Sequence, residues 1–528
     1  MPATLSYPGV YIQEVSSGVR TVAGVPTSIT ALIGRAARGP VNEPTTCFNF
    51  GEFTRRFGGL WSSGPLSYAV DDFFGNGGGQ AEIVRLFKAN AADDDGIATL
   101  DVGALALRAA NPGSWGNNLT GKATHPSLVD AEGAKAAAAK YGLDVNDLFD
   151  LRIEDKATGA VEVFRNLTVR ADGGERRFDR ILAAQSGLVQ CTVNNDGAPI
   201  LGNRPANDAT GNGQDGNDGA ALDPASYIGD PDKKTGMYAL KKADLFNLLC
   251  IPPDTRDGTL DKSVNEKAAA FCKDERAVLI VDPPAEWDQK PDEAAALVKT
   301  RQLNPATAVL SLTNADYAAL FFPRILKRDP LRGGQVDIFA PCGAVAGIIA
   351  RTDTNRGVWK SPAGMAATLS GIDGLTVKMS DEENGLLNPI AVNCLRSFPN
   401  IGRVVWGART MRGSDQLSDD YKYLAVRRLA LFIEESLYRG TQWVVFEGND
   451  EPLWAQIRLS VGAFMQRLFR QGAFQGTSPR EAYFVKCDRE TTTQDDRNQG
   501  IVNIVVGFAP LLPAEFVVIS IQQIRNAA

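Results

Sequence analysis

Two aspartates and one histidine are the residues of this chain best placed, in sequence, for hydrolytic chemistry. Asp282 ends the apolar run Ala277-Val278-Leu279-Ile280-Val281 ahead of Pro283-Pro284, and Asp353 follows Ile348-Ile349-Ala350. Ligands of open α/β sheets bind just beyond the carboxyl ends of the strands. A Ser–His–Asp arrangement also needs an imidazole to shuttle the proton. His125 is the chain's one histidine, so such a triad has to recruit it from a different region. Nothing pairs with either aspartate in sequence. Both read as strand-end caps and turn formers, with a hydrolase on the α/β region as the alternative.

Other chemical signatures fail on context. One histidine excludes an HExxH zinc site, and no GxxxxGK[ST] phosphate loop occurs. Gly75-Asn76-Gly77-Gly78-Gly79 precedes a strand rather than a helix and reads as a helix stop and turn. Gly211-Asn212-Gly213-Gln214-Asp215-Gly216 matches GxGxxG in letters alone, and its acidic, Gly/Asn-rich setting reads as a flexible surface loop. A calcium site there lacks a bidentate glutamate at the right spacing. No catalytic, metal-binding or cofactor-binding residue is assigned, no cofactor is expected, and the chain reads as a non-enzyme.

Composition narrows the class further. The net charge of −7, from 55 basic and 62 acidic residues, gives no basic surface for nucleic acid. No apolar run approaches the length of a membrane span, so membrane insertion is not expected. The opening residues carry neither a basic n-region nor an apolar core, so no signal peptide is expected. Seven scattered cysteines with no CxxC pair point to folding in a reducing cytoplasm. A chain of 528 residues is expected to divide into three or four domains.

The elements that would position these residues fall into six segments. Residues 1–20 hold a short strand, Tyr7 to Val15, which pairs with its own sheet or adds to another's. Residues 21–110 read as a compact α/β unit. Residues 111–225 read as a β-rich insertion, with a hairpin at Leu151–Asp155 and Val161–Arg165 around Thr158-Gly159. Residues 226–407 alternate strands and helices: runs at 245–251, 277–282 and 308–312 read as buried strands, and 264–273 and 292–299 as helices. This alternation predicts a mostly parallel sheet covered on both faces.

Residues 408–513 are predicted to hold two amphipathic helices. The first is capped by Ser418, with Arg427, Arg428, Glu434 and Glu435 off its apolar face. Trp443-Val444-Val445-Phe446 reads as a short buried strand. The second helix starts at Asn449-Asp450-Glu451-Pro452 and carries Trp454, Ile457, Val461, Phe464, Met465 and Leu468 in one stripe. Its later charges, Arg458, Arg467 and Arg470, are all basic, which makes a solvated face or a ridge for an acidic partner. Strands follow at 482–487 and 500–509. In 514–528, Phe516-Val517-Val518-Ile519-Ser520-Ile521 is apolar, uncharged and β-prone, and has to be paired to avoid aggregation.

Taken together, Tyr7-Pro8-Gly9-Val10-Tyr11-Ile12, Arg427-Arg428-Leu429 through Ser436-Leu437, Phe446-Glu447 with Asn449-Asp450 and Leu453-Trp454, and Gly507-Phe508 through Glu515-Phe516 resemble the contractile tail sheath proteins of bacteriophages and injection systems. The likeness is strongest at both ends and weakest across 111–225. It implies an α/β and α+β multidomain fold: a discontinuous inner domain built from both chain ends, a mostly parallel α/β middle domain, a β-rich outer insertion and extended terminal arms. It implies a homo-oligomer of six-fold rings stacked helically around an inner tube protein, with baseplate and terminal cap partners. Contraction would drive the tube through a target envelope without nucleotide hydrolysis; a non-contractile lattice is the structural alternative. The arm strands would be carried by Tyr7, Val10, Tyr11 and Ile12 at one end and by Phe516, Val517, Val518, Ile519 and Ile521 at the other. Arg458, Arg467 and Arg470 would face the tube. Such a particle would assemble in the bacterial cytoplasm.

Overall fold

The computed structural model describes residues 20–288, 312–415, 417 and 419–519. Its centre is an eight-stranded sheet: β1 (Thr30–Gly34), β2 (Thr45–Cys47), β3 (Ala81–Arg85), β4 (Leu248–Cys250), β5 (Val278–Val281), β6 (Ala318–Phe322), β7 (Val392–Phe398) and β8 (Gly402–Val405). The spatial order is β8-β7-β6-β5-β4-β1-β3-β2. From β3 to β7 the neighbours run parallel, and β2 and β8 close the edges antiparallel. The central strands are buried on both faces, which is why TALIG and VLIV read as unbroken apolar runs. Helices α1 (Pro65–Gly75) and α3 (Cys342–Arg356) cover one face, and α2 (Lys262–Asp274) covers the other.

This sheet takes strands from two of the sequence segments. Thr30 pairs with Leu248 and Ala31 with Leu249, so residues 30–85 complete the sheet of the 226–407 region. The strand expected at 308–312 and the helix at 292–299 lie outside the described residues but for Leu312, and the strand that follows β5 in the sheet is Ala318–Phe322.

The β-rich insertion starts earlier than the sequence pattern indicates. Thr99–Val102 pairs with Leu105–Ala109, which pairs with Val189–Cys191, and a second sheet joins Leu119–Thr124, Phe149–Asp155, Ala160–Leu167 and Thr210–Asn212. Leu100, Leu107, Leu119, Phe149, Ile153 and Phe178 lie in one core between them, so the unit begins near residue 98. The expected hairpin forms, with Ile153 opposite Glu162 and Asp155 opposite Ala160. The run at 210–213 is a strand edge rather than a free loop. A Cβ at Gly211 would come within 1.9 Å of the Asp101 carbonyl oxygen, and one at Gly213 within 1.9 Å of that of Gly116. These glycines permit close backbone approach.

After the short helix α4 (Asp381–Leu387), the C-terminal unit holds α5 (Leu424–Gly440), α6 (Glu451–Arg470) and the hairpin β9 (Tyr483–Lys486) and β10 (Val505–Phe508). The helix expected to follow a Ser418 cap begins instead at Leu424, with Tyr423 at the cap position. α6 starts as its sequence predicts: Asp450 accepts from Glu451 N, and Pro452 lies in the first turn. Its stripe of Trp454, Ile457, Val461, Phe464, Met465 and Leu468 is buried against Leu429 and Ile433 of α5. Each such side chain contributes roughly 1.5–3 kcal/mol of hydrophobic stabilisation.

Two local expectations fail here. Arg427, Arg428 and Glu435 are buried, because Leu424 and Leu431 of α5 pack into the sheet core while its other side meets α6. Gln442–Val444 forms one 3-10 turn in place of a buried strand, and Val445 and Phe446 project outward. The chain has to reverse between two packed helices there, and that constraint overrides the β-propensity of WVVF.

Candidate assembly surfaces

The residues offered for hydrolysis do not converge. Asp282 Oδ1 accepts from Cys342 N at 2.9 Å, at the start of α3. Asp353 sits eleven residues further along that helix, roughly 16 Å away at 1.5 Å per residue. There it is locked in a two-pronged ion pair with Arg428, at 2.8 and 2.5 Å. His125 lies in the insertion, where Nε2–H donates to the Pro205 carbonyl at 2.9 Å. Burial pushes the Asp282 carboxyl up to about 6 against the counteracting Cys342 amide and Arg324, and its Oδ2 is buried without a hydrogen-bond partner. Asp282 therefore caps the start of α3 as a strand-end residue, whereas Asp353 is not at a strand end: it lies within α3, because 342–356 is helical, and anchors an ion pair. Among the described residues no group of three or more His, Cys, Asp or Glu could hold a metal, and no helix is long and apolar enough to cross a membrane.

The surfaces suited to binding lie on the C-terminal unit, where both ends of the described chain meet. Residues 20–29 cross it: Arg20 stacks over Trp443 at 5.0 Å, and Val22 is fully buried. Val25 N donates to Ser436 Oγ at 3.2 Å, and Arg428 Nη2 to the Thr27 carbonyl at 2.8 Å. At the other end the segment after β10 turns back toward the sheet domain and is pinned at Glu515. Arg409, with no solvent exposure, donates Nε to Glu515 Oε1 at 2.9 Å and Nη2 to Oε2 at 2.5 Å. Burial opposes the Arg409 charge, but Glu515 outweighs it and raises the guanidinium pKa.

Beyond that pin, Phe516, Val517, Val518 and Ile519 are 75, 81, 88 and 80% exposed and form no strand with the described residues. Tyr7, Val10, Tyr11, Ile12 and Ile521 lie outside the described residues. β9 and β10 pair with each other alone, Tyr483 opposite Phe508 and Lys486 opposite Val505. The bridge Phe474–Pro510 and the backbone bonds of Ala509 with Gln475 and Ala482 extend this ladder by a short step. A two-stranded sheet is marginal by itself, and Phe484 and Val505 remain half exposed on it.

The three arginines of α6 differ in their freedom. Arg458 Nη1 donates to the Cys487 carbonyl, and Nη2 meets Glu451 at 2.6 Å. Arg467 Nη2 donates to the Val22 carbonyl at 2.7 Å and stacks on Phe464. Arg470 is exposed and makes no hydrogen bond or ion pair with the described residues. Sequence reasoning missed both the Arg409–Glu515 pin and a cleft of about 1000 Å³ beside it, walled by Trp359, Pro389, Trp406, Leu511, Leu512 and Phe516. No local signal marks either, since both are built from distant segments.

Comparison with known proteins fits this architecture. The family model for the phage tail sheath protein central domain matches residues 227–411, and that for the phage tail sheath C-terminal domain matches 416–524. Together they cover more than half of the chain. A tail sheath protein of Burkholderia phage BcepMu is 24% identical over 89% of this chain and 87% of its own length. One from Vibrio phage KVP40 is 25% identical over 31% of this chain, a match spanning about a quarter (24%) of that relative. The contracted helical sheath of the anti-feeding prophage shares the fold, with a TM-score of 0.56 at 22% identity, over 98% of this chain and all of that one. The chain belongs to the phage tail sheath family.

Proposed function

We propose that this chain is the subunit of a contractile sheath, polymerising as stacked six-fold rings around an inner tube and contracting to drive that tube through a target cell envelope. The observation that carries this reading is the apolar run Phe516–Ile519, at least 75% exposed, on a unit whose hairpin has two strands among the described residues. A neighbour's arm supplies the missing strands by β-augmentation, with main-chain hydrogen bonds giving continuity and side chains giving register. At about 1 kcal/mol net per hydrogen bond, one arm contributes modestly, and repetition through the lattice makes the linkage cooperative. In this reading residues 1–20 and 514–528 are the arms, and the β-rich insertion faces outward. Baseplate and cap proteins close the ends, and the particle assembles in the bacterial cytoplasm as a phage tail or phage-tail-like device.

Deletion of residues 1–20 or of 515–528 tests the arms. Each truncated protein is expected to unfold cooperatively like the full chain yet to give no long tubes by negative-stain microscopy. Normal tubes from both deletions would refute the arm mechanism. One fixed lattice pitch under every condition would leave a static layer instead of a contractile one.

A further inference from the structure

The loop between α5 and α6 projects an aromatic side chain that none of the described residues covers. Trp443 and Val444 pack inward against the core of the C-terminal unit. Val445 is 63% exposed and Phe446 fully so (104%). Phe446 also has a φ of +69°, the left-handed region that a bulky L residue occupies at a cost in backbone energy. Among the described residues the ring makes no packing contact that would account for this backbone conformation. Exposed Glu447 follows directly, with no ion-pair partner among the described residues.

At the far end of α6 lies the cleft, which no described residue fills. Trp359, Trp406, Leu511, Leu512 and Pro389 supply its apolar wall, Gln471 and Gly472 close it just past the helix end, and Arg356 stands exposed on its rim without an ion-pair partner among the described residues. The projecting loop and the cleft are thus separated by a single helix of 20 residues, roughly 30 Å long. An aromatic knob with an acid beside it, and an apolar socket with a base on its rim, at opposite ends of one rigid element, form the two halves of a head-to-tail contact. Contacts of this kind between identical chains build rings or open helices, according to whether the rotation closes.

We propose that Val445 and Phe446 of one copy enter the Trp359–Trp406 cleft of the next, with Glu447 facing Arg356. The proposal rests on the reading that the chain polymerises, and adds a contact distinct from strand pairing by the arms, at a cleft that shares Phe516 with the root of the C-terminal one. Phe446→Cys places a thiol on the knob. Gly385→Cys places one in the cleft, where a Cβ meets nothing within 4 Å. The two full-length variants are mixed under assembly conditions with a short bis-maleimide. A covalent dimer is expected in the mixture, about tenfold or more above either variant alone or the wild type. Gly385→Trp, which fills the socket, is expected to lower assembly as strongly as Phe446→Ala, with unfolding temperatures unchanged for both. Tubes that form without the cross-link would overturn the knob-and-socket contact while leaving the sheath reading intact. Cross-linking of Phe446→Cys to the inner tube protein instead would do the same. Absence of both tubes and cross-links would sink the two together.

Discussion

Arg409 and Glu515, 106 positions apart, form a two-pronged ion pair that fixes the root of the C-terminal arm to the sheet domain. Arg409 is entirely buried and keeps further acceptors in the Asn388 and Gly413 carbonyls and in Asp415. Among the described residues Glu515 has one further hydrogen-bond partner, the hydroxyl of Tyr423 at 3.5 Å. The pair is therefore asymmetric: the sheet domain holds Arg409 without the arm, while the arm holds its position mainly through Arg409. Four exposed apolar residues begin directly after this point.

Glu515→Ala is expected to release the arm root and leave the rest of the fold intact. With the pair valued at roughly 1.5–3 kcal/mol, as for a hydrogen bond to a charged group, chymotryptic cleavage after Leu511 should quicken about ten- to a hundredfold while opening stays fast relative to cleavage. The main unfolding temperature should stay within a degree or so of wild type. A large drop in that temperature would show that the pin supports the core rather than the arm alone.

Arg428 and Asp353 join the two larger units, α5 to α3, with both side chains 3% exposed. Removing one partner of a buried pair strands a charge and costs about 3–5 kcal/mol, whereas replacing both with apolar groups is often near neutral. Asp353→Asn and Arg428→Met are each expected to lower the urea midpoint of the full chain, and Asp353→Leu with Arg428→Met to recover most of the loss. Equal destabilisation by the double variant would mean that the pair contributes more than its own compensation.

Asp282 gives a pH test with a definite sign. Its carboxyl moves from 3.8 to about 6 on burial. The folded protein therefore carries a destabilising charge above about pH 6, which is relieved as the pH falls through 6 and gone below 3.8. The full cost is about 3 kcal/mol at most. Asp282→Asn keeps an acceptor for Cys342 N and removes the charge. It is expected to be more stable than wild type at about pH 8, with the difference shrinking toward zero near pH 4. A difference that stays constant across that range would remove the titration from the account.

The parts of the fold legible in sequence are those set by local pattern. β1, β4 and β5 announce themselves as apolar runs because parallel strands are buried on both faces. The 151–165 hairpin shows through alternation around Thr158-Gly159. Hidden are the pairs that depend on distance along the chain: Arg428 finds Asp353 75 positions away, and Arg409 finds Glu515. Sequence placed Arg427 and Arg428 on a polar face because a helix wheel cannot reveal a second packing partner. WVVF was misread for a similar reason, since only the closure between α5 and α6 turns Val445 and Phe446 outward.

The basic residues of α6 now separate into anchors and a free charge, which sharpens their test against the inner tube. Arg467 holds the Val22 carbonyl and Arg458 bridges Glu451 to the strand after α6, so reversing either charge disturbs packing as well as any outward contact. Arg470 has no such tie among the described residues. Arg470→Glu is therefore expected to leave the unfolding temperature unchanged and to weaken co-assembly with the tube protein, most clearly at low salt, where exposed charges are least screened. Arg467→Glu is expected to lower both stability and co-assembly. If Arg470→Glu assembles on the tube as wild type does at every ionic strength, the basic face of α6 is solvated, and the tube contact belongs to another surface.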